Sequence, residues 1–385
     1  MAVEQLESPA PPDVAPPPTR AVVLPIVCVD DSDPAWLRGG NIPGLDGLRA
    51  ISIAAVVLGH ASLTWSGASA DHSRSLARLG SIGVDLFFVI SGFLITLLLL
   101  RERRRHGTIS LRAFYVRRAW RILPAYAVFL VSMFGMSAAG LIELSGRDWT
   151  GALTYSVNFL PGTSWPVGHL WSLSVEEHFY LLWPLLLFVL GPGRGCALAA
   201  MYILAGPLIR WSIWQTGSVN LDIDYCTPAR IDTIAVGCLL AYFADQRATR
   251  RILAGLSASG AGIIFVLVLA ALVVSNTLLT SSGLYAITIR RTIDAFCFAG
   301  MVWTSSLHTR GALGRLLNAV PLVWLGRLSY GLYLWQQPFL NPHADHWACQ
   351  WPVNVAVALL FAVVSFVLVE RPALRLRQSR GWGNV

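Results

Sequence analysis

His60 stands eleven positions after Arg49 in the stretch LDGLRAISIAAVVLGHAS. On an α-helix those steps make three turns plus about 20° and roughly 16 Å of rise, so the two side chains share one face. An anion held by Arg49 could present a group to His60. The plainer reading has Arg49 snorkelling to an interface beside Asp46, and His60 making a packed polar contact between helices. Asp85, in GSIGVDLFFVISGFLI, is expected near the depth of His60. There a carboxylate could orient the imidazole and raise its basicity, unless it is an interfacial acid that meets water. Gly83, Ser91 and Gly92 in the same stretch read as packing residues. Arg117 and Arg121 are four apart on one helix face, with Arg118 beside them. Such a cluster suits phosphate, which guanidinium groups bind bidentately, or the headgroups of anionic lipids.

Downstream, HLWSLSVEEHFYLLWP crowds His169, Ser172, Ser174, Glu176, Glu177 and His178 into ten residues. Glu176 and Glu177 point about 100° apart on a helix, so at most one faces a given site. Ser174 and His178 at i, i+4 lack the strand-turn-helix elbow of a serine nucleophile. Arg230, Asp232, Asp294, Arg327 and Ser329 either line an internal cavity or pair with one another.

The elements that must hold these groups follow from composition. Of 385 residues, 55% are hydrophobic and 13% charged, with a mean hydropathy of +0.58; a soluble domain carries about a quarter charged residues. That excludes a soluble globular protein. All 29 basic residues are Arg and the net charge is +8, but the arginines lie between apolar runs rather than on one polar face, which argues against nucleic-acid binding. A span needs about 20 apolar residues, and ten segments qualify: 47–66, 81–100, 122–141, 171–190, 196–214, 230–244, 253–274, 292–306, 320–338 and 353–369. The sixth and eighth are short and polar. Most arginines, including the eight from Arg101 to Arg121, fall on the side of the N-terminus. By the positive-inside rule both termini are cytoplasmic. The expected fold is thus an all-α polytopic membrane protein of about ten transmembrane helices. It comprises a disordered Pro-rich tail (1–38), a transmembrane domain (39–372) and a short cytoplasmic tail (373–385). The six cysteines show no ligand spacing, so no metal is expected; Cys226 and Cys349 both fall in outward loops, where they could pair.

Together, IPGLDGLRA with His60, GVDLFFVISGFLI, RRAWRILP, HLWSLSVEEHFYLLWP, RIDTIAVG and LGRLSYGLYLW resemble, in order, the bacterial acyltransferase 3 family of integral membrane O-acyltransferases. The resemblance implies a multi-pass protein of the bacterial cytoplasmic (inner) membrane. It would move an acetyl or related acyl group from cytoplasmic acyl-CoA, most simply acetyl-CoA, to a hydroxyl of a cell-surface or lipid-linked glycan. Arg49 with His60 matches the family's Arg and His pair, Arg117 and Arg121 its arginine motif, and Glu176 its glutamate. Arg49, Arg117, Arg118 and Arg121 would then hold the donor. His60 would act as general base or accept the acyl group. Glu176 would bind the acceptor or relay a proton, and Asp85 would tune the imidazole. His169, Trp171, Ser174, Arg230 and Asp232 are expected to contact the acceptor, and Trp149, Tyr155, Phe159, Trp165 and Trp171 to stack on sugar rings or form an interfacial belt.

Two departures stand out. Gln336 occupies the position of a histidine in many relatives, and His178 that of a glutamine. The chain also ends too soon after Glu370 for the extracytoplasmic esterase-like domain of some relatives, so direct acylation or a separate protein is expected. A macrolide or other small lipophilic acceptor is the alternative within the family. A proton-coupled transporter of an anionic solute is the alternative outside it.

Overall fold

In lipid every backbone polar group must be satisfied within its own segment, which makes a helix of each long apolar run. The computed structural model describes residues 42, 44–65, 69–217, 222–246, 257–277, 283–307 and 311–382, and among these it is helical with no strand. The expectations for the tail 1–38 and for Cys28 lie outside the described residues. In chain order the helices are α1 (Leu45–Ala61), α2 (Ala70–His106), α3 (Leu111–Ala138), α4 (Gly146–Thr154), α5 (Trp165–Gly168), α6 (Leu170–Thr216) and α7 (Thr227–Asp245). There follow α8 (Ala258–Thr277), α9 (Gly283–Thr288), α10 (Arg290–Leu307), α11 (Ala312–Leu317), α12 (Val320–Phe339), α13 (Val353–Ser365) and α14 (Arg371–Ser379), the last two joined by a π-helical stretch, Phe366–Glu370.

Five stretches are long and apolar enough to cross a membrane by length and composition: Leu76–His106, Leu111–Ala138, Trp165–Thr216, Ser259–Asn276 and Val353–Ser379. The third holds two of the expected segments, because Gly191 breaks α6 with φ 77° and ψ 171° just before Pro192. That conformation is open to glycine and closed to most other residues. Leu204 and Val189 on α6 are 75% and 68% exposed, a cost in water but not against lipid tails.

The core forms where α1 packs between α2 and α12, while α7 packs against both α2 and α6. Gly92 of α2 and Gly237 of α7 set one of these crossings. A Cβ on Gly92 would meet the backbone of Ile234, and one on Gly237 the backbone of Val89. Small residues let helices approach this closely in membranes. The basic segment between α2 and α3 is fastened by Glu102, which accepts from Ser110 N (2.6 Å) and Arg117 Nη2 (2.9 Å), and Ser110 caps α3 by accepting from Ala113 N. Cys226 and Cys349 are free thiols, so the possible pair between them is not formed.

Candidate functional site

Because α1 is continuous from Leu45 to Ala61, Arg49 and His60 occupy one face at opposite ends of it. His60 opens into a cavity of about 560 Å³ that is also lined by Trp165, His169, Trp171, Tyr225 and Arg291. His60 Nδ1 lies 2.7 Å from Gln336 Oε1. The contact with an amide oxygen is the one made by an imidazole protonated on Nδ1, the tautomer whose Nε2 keeps its lone pair. Trp165 meets the imidazole edge-on with ring centroids 5.6 Å apart. The indole is itself held by reciprocal bonds: Trp165 Nε1 donates to Gln337 O, and Gln337 Nε2 donates to Trp165 O. His169 is buried between the rings of Phe129 and Tyr333, and Tyr333 donates its hydroxyl to the His169 carbonyl.

The loop carrying Trp165 is anchored from α4. Asp148 accepts from Ser145 N and Oγ and from Ser164 N and Oγ, all within 2.8 Å. Burial pushes this carboxyl up, but those hydrogen bonds outweigh burial and hold it below the usual carboxylate range.

At the arginine-rich end, a cavity of about 190 Å³ is lined by Arg49, Arg117, Arg118 and Arg121, with Arg377 from α14. Arg118 lies over the Tyr180 ring, 4.9 Å from its centroid, an arrangement that holds a cation against an aromatic face. Between the two ends sits a smaller cavity of about 70 Å³ into which Glu176 projects. Glu176 accepts from Ser91 Oγ (2.8 Å) and Tyr180 Oη (3.2 Å). It shares Arg49, Ser91 and Tyr180 with the arginine cavity, and Val84 and Tyr333 with the histidine cavity. The three hollows are therefore consecutive neighbours along the α1 face.

Several expectations need correction. Asp85 does not face His60: it bonds Arg230 Nη2 at 2.6 Å, and that guanidinium lies over the rings of Trp171 and Phe88. The imidazole is oriented by Gln336 instead. Arg230 and Asp232 do not pair with each other. Asp232 takes both amino groups of Arg210, at 2.9 and 3.0 Å, and Arg210 also bonds Thr288 O, Ala229 O and Thr292 Oγ1. All three residues are fully buried, and Arg230 and Asp232 spend their charges on partners from neighbouring helices. Ser174 is also fully buried and spends its hydroxyl on Leu170 O. Ser91 is no mere packing residue, since it donates to Glu176. Of the aromatics, Phe159, Trp165 and Trp171 line the large cavity, whereas Trp149 packs on Phe134 and Tyr155 stacks on Tyr126. Arg327 reaches Asp46 at 3.7 Å, Asp294 accepts from Ser275, Asn276 and Arg290, and Ser329 lines the middle cavity.

Sequence reading passed over Arg210, Tyr180 and Tyr333. Tyr180 alone carried a signal, standing four residues after Glu176 on the same helix face. Among the described residues no three of His, Cys, Asp and Glu gather to hold a metal.

Residues 42–370 match the family model described as "Acyltransferase domain". Among similar proteins, the peptidoglycan O-acetyltransferase OatA of Listeria monocytogenes is 29% identical over 366 residues, covering 86% of this chain and 55% of that protein. The putative peptidoglycan O-acetyltransferase YrhL of Bacillus subtilis is 29% identical over 372 residues, covering 86% and 54%. A putative O-acetyltransferase of Staphylococcus aureus is 29% identical over 364 residues, covering 86% and 57%. The chain thus spans just over half the length of these curated relatives. No solved structure matches it.

Proposed function

The chain belongs to the acyltransferase family whose domain it matches over residues 42–370, and from that premise we propose that it is a membrane O-acetyltransferase. It takes an acetyl or related acyl group from acyl-CoA at the arginine-rich end and delivers it to a glycan or lipid-linked saccharide hydroxyl in the cavity at His60. The observation that carries this reading is the row of three adjoining hollows between the arginines and His60. In the same reading the protein lies in the bacterial cytoplasmic membrane with ten crossings, and the arginine-rich end faces the cytoplasm.

Guanidinium groups of Arg49, Arg117, Arg118 and Arg121 bind the donor's phosphates. The pantetheine arm lies along the middle cavity past Glu176, and the thioester meets His60. His60 Nε2 takes the proton of an acceptor hydroxyl as its oxygen attacks the thioester carbonyl. The C–S bond breaks, and the imidazolium returns the proton to the leaving thiolate. Gln336 steadies the imidazolium by continuing to accept from Nδ1. A transient acyl-imidazole on Nε2 uses the same geometry in two steps. Phe159, Trp165 and Trp171, which line a cavity of about 560 Å³, support a saccharide acceptor, since sugar rings stack on aromatic faces.

Purified protein in liposomes, given radiolabelled acetyl-CoA and candidate glycans, tests this. Transfer or slow thioester hydrolysis should depend on His60 and vanish in His60→Ala. Failure of folded wild type to consume any acyl-CoA would reject the enzyme reading.

A further inference from the structure

The geometry points to the C-terminal helix α14 as part of the donor site: Arg377 completes a pocket for a ligand bearing several clustered phosphates, at a position marked by none of the motifs that suggested the site. The inference rests on the acyl-CoA reading and extends it to a residue outside the matched domain.

Five arginines, from α1, α3 and α14, line a cavity of about 190 Å³, and no carboxylate does so among the described residues. Arg117 is paired with Glu102 at 2.9 Å; the other four like charges around so small a space repel one another, and one phosphate would leave part of that charge unbalanced. A pyrophosphate with a further phosphate monoester on the ribose, as in the nucleotide end of coenzyme A, matches it far better. Guanidinium groups bind such oxygens in a fixed bidentate geometry.

The placement of α14 is selective. Its arginines and the one that follows are Arg371, Arg375, Arg377 and Arg380, and of these Arg377 alone is partly buried and lines the cavity. Arg371 lies over Phe366 and Arg380 over Trp382, and neither lines the cavity. The helix is also fastened at its far end, where Trp382 meets Trp120 with ring centroids 5.3 Å apart. Trp120 sits on α3 next to Arg121, so this ring contact sets α14 against the phosphate-facing arginines. The π-helical stretch Phe366–Glu370 packs on α3 at the near end.

The test uses full-length protein in nanodiscs of zwitterionic lipid, with calorimetric titration of coenzyme A and of dephospho-coenzyme A. Arg377→Gln should weaken coenzyme A binding about tenfold or more, Arg377→Lys should restore part of it, and Arg375→Gln should bind as wild type does. The loss should shrink for dephospho-coenzyme A if Arg377 reads the ribose phosphate. Equal binding by Arg377→Gln and wild type overturns the inference while leaving the donor reading intact. If wild type ignores coenzyme A yet binds inorganic pyrophosphate through Arg377, the acyl-CoA reading falls and the polyphosphate site stands. If Arg377→Gln changes only the association with discs containing phosphatidylglycerol, the arginine reads lipid headgroups and its donor role is overturned. Trp382→Ala keeps Arg377 but frees α14, and should lower affinity by a smaller factor at an unchanged melting temperature.

Discussion

Gln336 Oε1 lies 2.7 Å from His60 Nδ1, so an amide from α12 fixes the orientation of the imidazole on α1. With the amide oxygen turned toward Nδ1, Gln336 acts as acceptor there. Gln336→Leu removes that acceptor at similar volume. Acetyl transfer should fall about tenfold, the equivalent of one buried hydrogen bond, with KM for acetyl-CoA little changed. Steady-state kinetics in liposomes measures both.

Trp165 and Trp149 were alike in sequence but lie in different surroundings, the first against His60 and the second against Phe134. Trp165→Ala should raise KM for the acceptor about fivefold or more, the scale of one lost aromatic contact. Trp149→Ala should leave it unchanged. Titration of acceptor at fixed acetyl-CoA separates the two.

Arg210 and Asp232 form a fully buried, bidentate pair. Removing one partner strands the other charge, which costs about 3–5 kcal/mol. Arg210→Met should lower the melting temperature in detergent sharply, and the surviving folded fraction should keep wild-type affinity for coenzyme A.

Asp148 holds Ser164, and with it the approach to Trp165, through two hydrogen bonds, and accepts two more from Ser145 on its own helix cap. Its folded value lies below the unfolded value of about 3.9. The sign follows: the carboxylate contributes its full stabilisation above about pH 4 and loses it as pH falls through the depressed folded value. Amide protection over residues 160–165, corrected for intrinsic exchange, should be lower in Asp148→Ala than in wild type at neutral pH. The two should converge only in acid.

Glu176 sits in the middle cavity with Ser91 and Tyr180 as its donors. Ser91→Ala removes one of them at almost no change in volume. Acetyl transfer should drop several-fold with folding intact, whereas Ser174→Ala, on the same helix as Glu176 but facing Leu170 O, should leave transfer unchanged. Melting temperature and initial rate together make the comparison.

The sequence by itself determined that the chain is built of apolar helices and that Arg49 and His60 share one of them. Apolar run length and the 3.6-residue period act locally, and α1 is continuous across that interval. Arg117, Arg118 and Arg121 share a cavity for the same reason, since they are neighbours on one turn of α3. What only tertiary structure decided is which charges meet across helices. Asp85 lies 145 positions from Arg230 in the chain, and Gln336 lies 276 from His60. No local periodicity reports a contact of that separation, which depends on the rotation and offset of whole helices. Those offsets are set by close approaches such as Gly92 to Ile234 and Gly237 to Val89. The same docking turned Arg230, Asp232 and Ser174 inward and brought Arg377, from beyond the motifs, to the cavity lined by Arg49, Arg117, Arg118 and Arg121.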